Sequence, residues 1–353
     1  MTYPLLFLSH QRFAWALALL ATIYTGCAPT RIAFQPSVPA DCRRPGTEQV
    51  SWIGPETARD RALHDRWCAA VAPPEIAHAQ VSQSQADLID GSVRLAIVSW
   101  NMEVGGGTLV PLVDALRRGD FTGGERIAHF VLLLQEVYRH DPRLQLLPAG
   151  SSPPRAIGGA SAEGDIVQLA RTLGLELFYA PAMRNGHRQE DRGNAILSTE
   201  PISELSVIEL PFERQRRIAL MATAGGPGGQ GPGRIRVGTA HFETRAGLTR
   251  RGPAEARRRQ AEALAAIAGE SELPVIVAGD LNTSWGDDEP AVKTLRGVLP
   301  DAGPTPGTTW SRGVMSAKLD HIFARLRGRP LNVRKLPSRY GSDHYPLLVV
   351  VSP

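Results

Sequence analysis

The residues best suited to chemistry stand where apolar runs end. Near the C-terminus, Gly341-Ser342-Asp343-His344-Tyr345-Pro346 leads into the apolar run Leu347 to Val351, so a carboxylate and an imidazole sit at the mouth of a buried strand. Other stretches share this form: Ile97-Val98-Ser99-Trp100-Asn101, Val131-Leu132-Leu133-Leu134-Gln135-Glu136, Ile235-Arg236-Val237-Gly238-Thr239-Ala240-His241, and Pro274 through Gly279-Asp280-Leu281-Asn282. Leu319-Asp320-His321-Ile322-Phe323 places an acid at a strand start. Together, Asn101, Glu136, His241, Asp280, Asn282, Asp320, Asp343 and His344 offer oxygen ligands for a hard divalent cation, two imidazoles for proton transfer and amide donors for an anionic oxygen. No convincing nucleophile accompanies them, because adjacent Ser342, Asp343 and His344 side chains point different ways. Phosphate-loop and dinucleotide glycine fingerprints are absent from the sequence.

Positioning such groups calls for layers of strands and helices. Patterning predicts strands at 93–100, 129–135, 176–180, 194–198, 205–210, 217–223, 234–241, 274–279, 319–324 and 346–351, with helices at 109–118, 163–173, 253–268 and 289–297. Strands dominate with helices between some of them, which argues an α+β fold with mixed sheets. The Gly/Pro tract 224–233 reads as a long hairpin loop, and 148–162 as a second loop. Arg258 and Arg259 fall on a solvated helix face; with Arg245, Arg250 and Arg251 they are also candidates for a basic rim beside His241.

With 353 residues and 42% hydrophobic content, the chain can bury a large core and is not compositionally disordered. Of 39 basic residues only Lys293, Lys318 and Lys335 are lysine, and the net charge of +4 is compatible with a polyanionic substrate without demanding one. Residues 1–27 have the form of an export signal: Arg12 precedes an apolar stretch from Phe13 to Thr25 that is short for a membrane span. Tyr24-Thr25-Gly26-Cys27-Ala28 resembles the bacterial lipoprotein processing box, which would leave Cys27 lipidated and the protein on the periplasmic face of a membrane. An ordinary signal peptide, releasing the protein outside the cell, and an uncleaved anchor are the alternatives. Cys42 and Cys68 then form an even pair, either bridged or both reduced. Residues 28–91 show one helical patch, 56–71, and no strand pattern; they read as a tether plus a small N-terminal subdomain, with the main domain spanning 92–353.

The stretches Ser99-Trp100-Asn101, Leu134-Gln135-Glu136, Gly193-Asn194-Ala195-Ile196-Leu197-Ser198, Thr239-Ala240-His241, Gly279-Asp280-Leu281-Asn282, Leu319-Asp320-His321 and Gly341-Ser342-Asp343-His344-Tyr345-Pro346 resemble, in this order, the motifs of the endonuclease/exonuclease/phosphatase superfamily. The resemblance implies the DNase I-like fold, a four-layer α/β/β/α sandwich of two mixed β-sheets. It implies Mg²⁺ or Mn²⁺ bound by Glu136, with Asn101 and Asp343 completing the site. His344 is expected to activate water, oriented by Asp320; Asp280 and Asn282 to position water and phosphate oxygens; and His241 to assist the leaving oxygen. Glu103 stands where some members carry a metal-binding aspartate, and Asn194 is a candidate for the site lining. Ala278 and His321 depart from patterns common in the family. The expected activity is metal-dependent phosphodiester hydrolysis, on DNA or RNA in the first reading and on a phospholipid or small phosphate ester in the second. A catalytically silent binding protein is the third. The motifs contact the scissile phosphate alone, so specificity is expected in loops 104–108, 184–192, 224–233 and 284–312.

Overall fold

The computed structural model describes residues 48–54, 57–79, 94–144, 164–185, 189–213, 215–225, 233–244 and 251–351. The expected signal and lipidation segment, Cys27, Cys42, Arg245 and Arg250 lie outside them. Fifteen strands run in chain order: β1 (Val50–Ile53), β2 (Glu75–Ala77), β3 (Leu95–Asn101), β4 (His129–His140), β5 (Glu176–Arg184), β6 (Glu190–Ser198), β7 (Ile202–Glu209), β8 (Ile218–Ala224), β9 (Ile235–His241), β10 (Val275–Asp280), β11 (Trp310–Arg312), β12 (Met315–Ala317), β13 (Asp320–Arg325), β14 (Arg334–Lys335) and β15 (Leu347–Val351). The helices are α1 (Ala58–Ala70), α2 (Leu109–Arg118), α3 (Ile166–Leu173), α4 (Arg251–Gly269) and α5 (Pro290–Val298), with a 3₁₀ turn at Gly286–Asp288.

Sheet one has the order β1-β7-β8-β9-β10-β13 and sheet two β14-β15-β3-β4-β6-β5-β2. Both are mixed: β9/β10 and β3/β4 are parallel, whereas β10/β13 and β15/β3 are antiparallel. The alternation of each strand explains the layering. Ile97, Val131 and Leu133 of sheet two meet Ile218, Leu220, Val237 and Ile276 of sheet one in a core between the sheets. The opposite face of sheet two, with Val98, Leu132 and Leu134, packs under α2 and α3. The outer face of sheet one, with Ala219, Met221 and Val277, packs under α4 and α5. The result is the expected α/β/β/α sandwich.

Local chemistry sets the element ends. Asp165 caps α3 by accepting from Val167 and Gln168 backbone N–H groups, which starts the helix three residues later than patterning predicts. The 224–233 tract does separate an antiparallel pair, with Ala224 opposite Ile235. Segment 48–79 differs from expectation, because it contributes strands. β1 adds in parallel to the edge of sheet one beside β7, and β2 adds antiparallel to sheet two beside β5. Each has four residues or fewer and borrows its stability from a neighbour, so no periodicity marks it.

A buried network fastens this segment. Arg139 donates from Nε and Nη2 to the two Asp191 oxygens at 3.0 and 2.6 Å and from Nη1 to the Pro73 carbonyl, while Tyr179 donates to Asp191 at 2.7 Å. Cys68 at the end of α1 is buried and disulfide-bonded, while Cys42, its partner in the bridged reading, lies outside the described residues. No helix of the described residues is long and apolar enough to cross a membrane.

Candidate active site

The predicted groups converge because both sheets end their parallel strands on one side of the sandwich. In sheet one the register sets Asp280 directly between His241 of β9 and Asp320 of β13. In sheet two Asn101 of β3 lies opposite Gln135 of β4. Two hydrogen bonds join the rows across the core: Asn101 Nδ2 donates to Asp280 Oδ2 at 2.9 Å, and Gln135 Nε2 donates to Thr239 Oγ1 at 2.9 Å. Gly279 lets β10 lie against β9 within sheet one, since a Cβ there would lie 1.9 Å from the Ala240 carbonyl oxygen.

His344 enters from the turn before β15. Its Nδ1 donates to Asp320 Oδ2 at 2.9 Å, which leaves Nε2 facing Asp280 Oδ2 and Asp343 Oδ1, each 3.7 Å away. Ser342 is no nucleophile here; its hydroxyl donates to the Asn101 carbonyl and accepts from the His344 backbone N–H. Trp100 Nε1 holds the His344 carbonyl at 3.1 Å, so the turn is fixed from both sides. Burial works against a charged His344, yet Asp320 and Asp280 outweigh it and raise the imidazolium to about 10. Burial pushes the Asp280 carboxyl up to about 7, with His344 opposing and Asp320 adding to the rise. This buried trio is therefore a proton-holding network.

His241 has the opposite character. Burial first, then Arg217, His344 and Arg192, hold it well below the usual histidine value, so it is neutral and able to donate an N–H. Its Nε2 lies 3.6 Å from Asp280 and 3.8 Å from Glu136. Asn282 Nδ2 is committed to the Phe242 carbonyl at 3.0 Å and its backbone N–H to Asp280 Oδ1 at 2.9 Å. Asn282 (φ 52°) and Glu136 (φ 51°) both hold left-handed backbone conformations. Glu136 does so at a bulge where the β4/β6 register shifts between Leu134 and Val137, which turns its carboxylate out of the strand alternation.

Two sets of groups are candidates for a metal. Asp280, Asp320 and His344 bring ligand atoms within 4.8 Å of one another. Most of that donor capacity is already used: both Asp280 oxygens accept N–H groups, and Asp320 Oδ2 accepts from His344. The other set is Glu136, Asp343 and Glu103. Glu136 makes no side-chain hydrogen bond among the described residues, and Asp343 uses only Oδ2, for Trp310 at 2.7 Å. Burial raises the Glu103 carboxyl, and Asp343 and Glu136 add like-charge repulsion, against Arg312 3.6 Å away. These three do not bring their oxygens as close together as the trio does, but the free oxygens of Glu136 and Asp343 suit a hard divalent cation, which the hydrogen-bonded trio would hold less readily. The Asn101 oxygen, expected as a ligand, accepts the Glu103 backbone N–H at 3.0 Å.

A sequence model of the Endonuclease/Exonuclease/phosphatase family matches residues 98–344. The chain belongs to this family. No curated protein sequence matches the chain. Among solved structures it is similar to an endonuclease/exonuclease/phosphatase from Beutenbergia cavernae, at 19% identity and TM-score 0.48, over 73% of this chain and 71% of that one. The human Nocturnin catalytic domain with bound sulfate gives 18% identity and TM-score 0.47 over 75% and 96%. Sphingomyelinase C from Streptomyces griseocarneus gives 15% and 0.45 over 74% and 100%. Enzymes of the endonuclease/exonuclease/phosphatase family are generally phosphoester hydrolases that use divalent metals.

Within this family member, Asn194 is buried beside the cleft but spends its amide on the Ile218 carbonyl at 2.9 Å. His321, whose role the sequence leaves open, is buried, contacts Thr283 Oγ1 at 3.1 Å and stacks on Phe323. Arg258 and Arg259 pair with Glu255, Glu262 and Glu213, as a solvated face would. Sequence reasoning missed Arg192 and Arg217, which line the cleft next to Glu136 and His241. Arg192 falls at the end of the 184–192 specificity loop, but nothing singles out either residue among so many arginines.

Proposed function

We propose that this protein is a metal-dependent phosphodiester hydrolase acting on DNA or RNA. The observation that carries the reading is the His344–Asp320 pair facing Asp280, beside the under-used carboxylates of Glu136 and Asp343. Glu136 and Asp343, supported by Asn101 and Glu103, would hold Mg²⁺ or Mn²⁺. When bound, that cation neutralises charge developing on the phosphoryl oxygens. Asp320 fixes the His344 ring so that Nε2 is turned toward Asp280, 3.7 Å away; once the imidazolium has passed its Nε2 proton to the Asp280 carboxylate, that nitrogen takes a proton from the attacking water. Asp280 and the Asn282 amide orient that water and the phosphate, and neutral His241 donates its N–H to the leaving oxygen. Export is supported by the disulfide at Cys68, since such bonds persist in oxidising compartments. A tether through lipidated Cys27 belongs to the same proposal.

One observation favours a second substrate class. The β11–β12 hairpin, hydrogen-bonded to the site through Ser311 N–H to the Asp343 carbonyl, carries a fully exposed Val314 and an exposed Met315 at its tip. An apolar tip beside a phosphoesterase site suits a lipid surface. Supercoiled plasmid, single-stranded RNA and sphingomyelin vesicles, each with Mg²⁺, Mn²⁺ or chelator, separate the two. Metal-dependent nicking or RNA cleavage, lost in His344→Ala, supports the nuclease reading. Choline-phosphate release without cleavage of either nucleic acid would reverse it.

A further inference from the structure

Arg217 directly precedes β8 and is only 5% exposed, yet among the described residues its guanidinium makes no hydrogen bond and no ion pair. Its Nε is buried without a partner. Three other buried arginines are neutralised: Arg139 by Asp191, Arg216 by Glu209 and Arg257 by Glu289. Burial lowers the Arg217 pKa, with Glu243 and Glu136 opposing that fall from a distance. An unpaired buried cation is costly unless something charged completes it.

What Arg217 lines is a cleft shared with Arg192, Glu136, Met183 and His241. Arg192 likewise forms no ion pair among the described residues; its Nη2 donates only to the Met183 sulfur at 3.1 Å. Asn194 and neutral His241 add no charge. Asp280, Asp320 and His344 are not part of this lining, so the two guanidinium groups border Glu136 and His241 without belonging to the proton-holding trio. Planar guanidinium forks match the oxygens of a phosphoryl group.

We infer that Arg217 and Arg192 form an oxyanion site that holds a substrate phosphoryl group next to the scissile one. The preferred substrates are therefore esters with successive phosphates, such as oligonucleotides, and a lipid with one phosphate leaves the site empty. This rests on the phosphoester-hydrolase reading above, but its first test does not need turnover.

Calorimetric titration of the full chain with inorganic phosphate, in chelator, compares wild type, Arg217→Met, Arg217→Lys and His344→Ala. Wild type and His344→Ala bind phosphate, Arg217→Met binds at least about tenfold more weakly, and Arg217→Lys falls between, because the charge remains without the fork. The Arg217→Met unfolding midpoint stays level or rises, since an unpaired buried charge has gone. Equal phosphate affinity in wild type and Arg217→Met overturns the site, as does a fall in the midpoint with affinity unchanged. A second arm compares kcat/KM for a dinucleotide with and without a terminal phosphate. In wild type the added phosphate raises kcat/KM, chiefly through KM, and Arg217→Met abolishes that advantage. Equal losses on both dinucleotides would assign Arg217 to the scissile phosphate and reject the neighbouring position.

Discussion

His344 and Asp320 behave as one unit, and their separation in sequence hides this. The Asp320 carboxylate accepts from His344 Nδ1 and fixes the ring, so Nε2 is presented to the site. Asp320→Asn keeps the shape and removes that control; kcat is expected to fall by about 10²–10⁴ with the far-ultraviolet spectrum unchanged, as steady-state kinetics would show. An unchanged kcat would remove Asp320 from the mechanism. Asp280 and His344 were legible because one ends a strand and the other stands in the turn before one, each within a short motif. Arg217 was not, because Arg216 beside it is its chemical equal. Only the alternation at the start of β8 separates them, sending Arg216 to Glu209 and Arg217 to the cleft.

At the scale of elements, long strands and amphipathic helices were readable and short edge strands were not. β4 runs through Glu136 to His140 where patterning stops at 135, because the bulge breaks the period and not the strand. The joint between α1 and β7 was equally silent, since it depends on the buried group Glu209. Burial alone would raise that carboxyl, but Arg216 and His64 overcome it and hold it at about 2. A depressed folded pKa stabilises above the unfolded value of about 4.3 and ceases to do so as pH falls through the folded value. Denaturant unfolding between pH ~4.5 and ~2 should show stability falling with pH, with a shallower slope in Glu209→Gln. The Arg139–Asp191 network makes a stronger demand. Asp191→Ala strands a buried guanidinium and should cost about 3–5 kcal/mol in chemical denaturation. A loss under about 1 kcal/mol would show that Arg139 finds another partner.

The whole molecule is a sandwich whose two sheets each end in a strand from residues 48–79. β1 covers the β7 edge and β2 covers the β5 edge. A chain beginning at residue 80 leaves both edges open, and light scattering should detect association that the full chain lacks. A monodisperse truncated protein with the same unfolding midpoint would mean that these strands are ornaments. The sandwich also sets Glu103, Glu136 and Asp343 at one end, with Arg312 facing Glu103, an arrangement that a divalent cation would complete. The account therefore turns on one measurement: hydrolysis of a simple aryl phosphodiester by the full chain with Mg²⁺ or Mn²⁺, set against chelator, Glu136→Gln and His344→Ala. Metal-dependent turnover that falls by at least about 10²-fold in both folded variants is the predicted result. Turnover that persists in chelator or survives either substitution would contradict it.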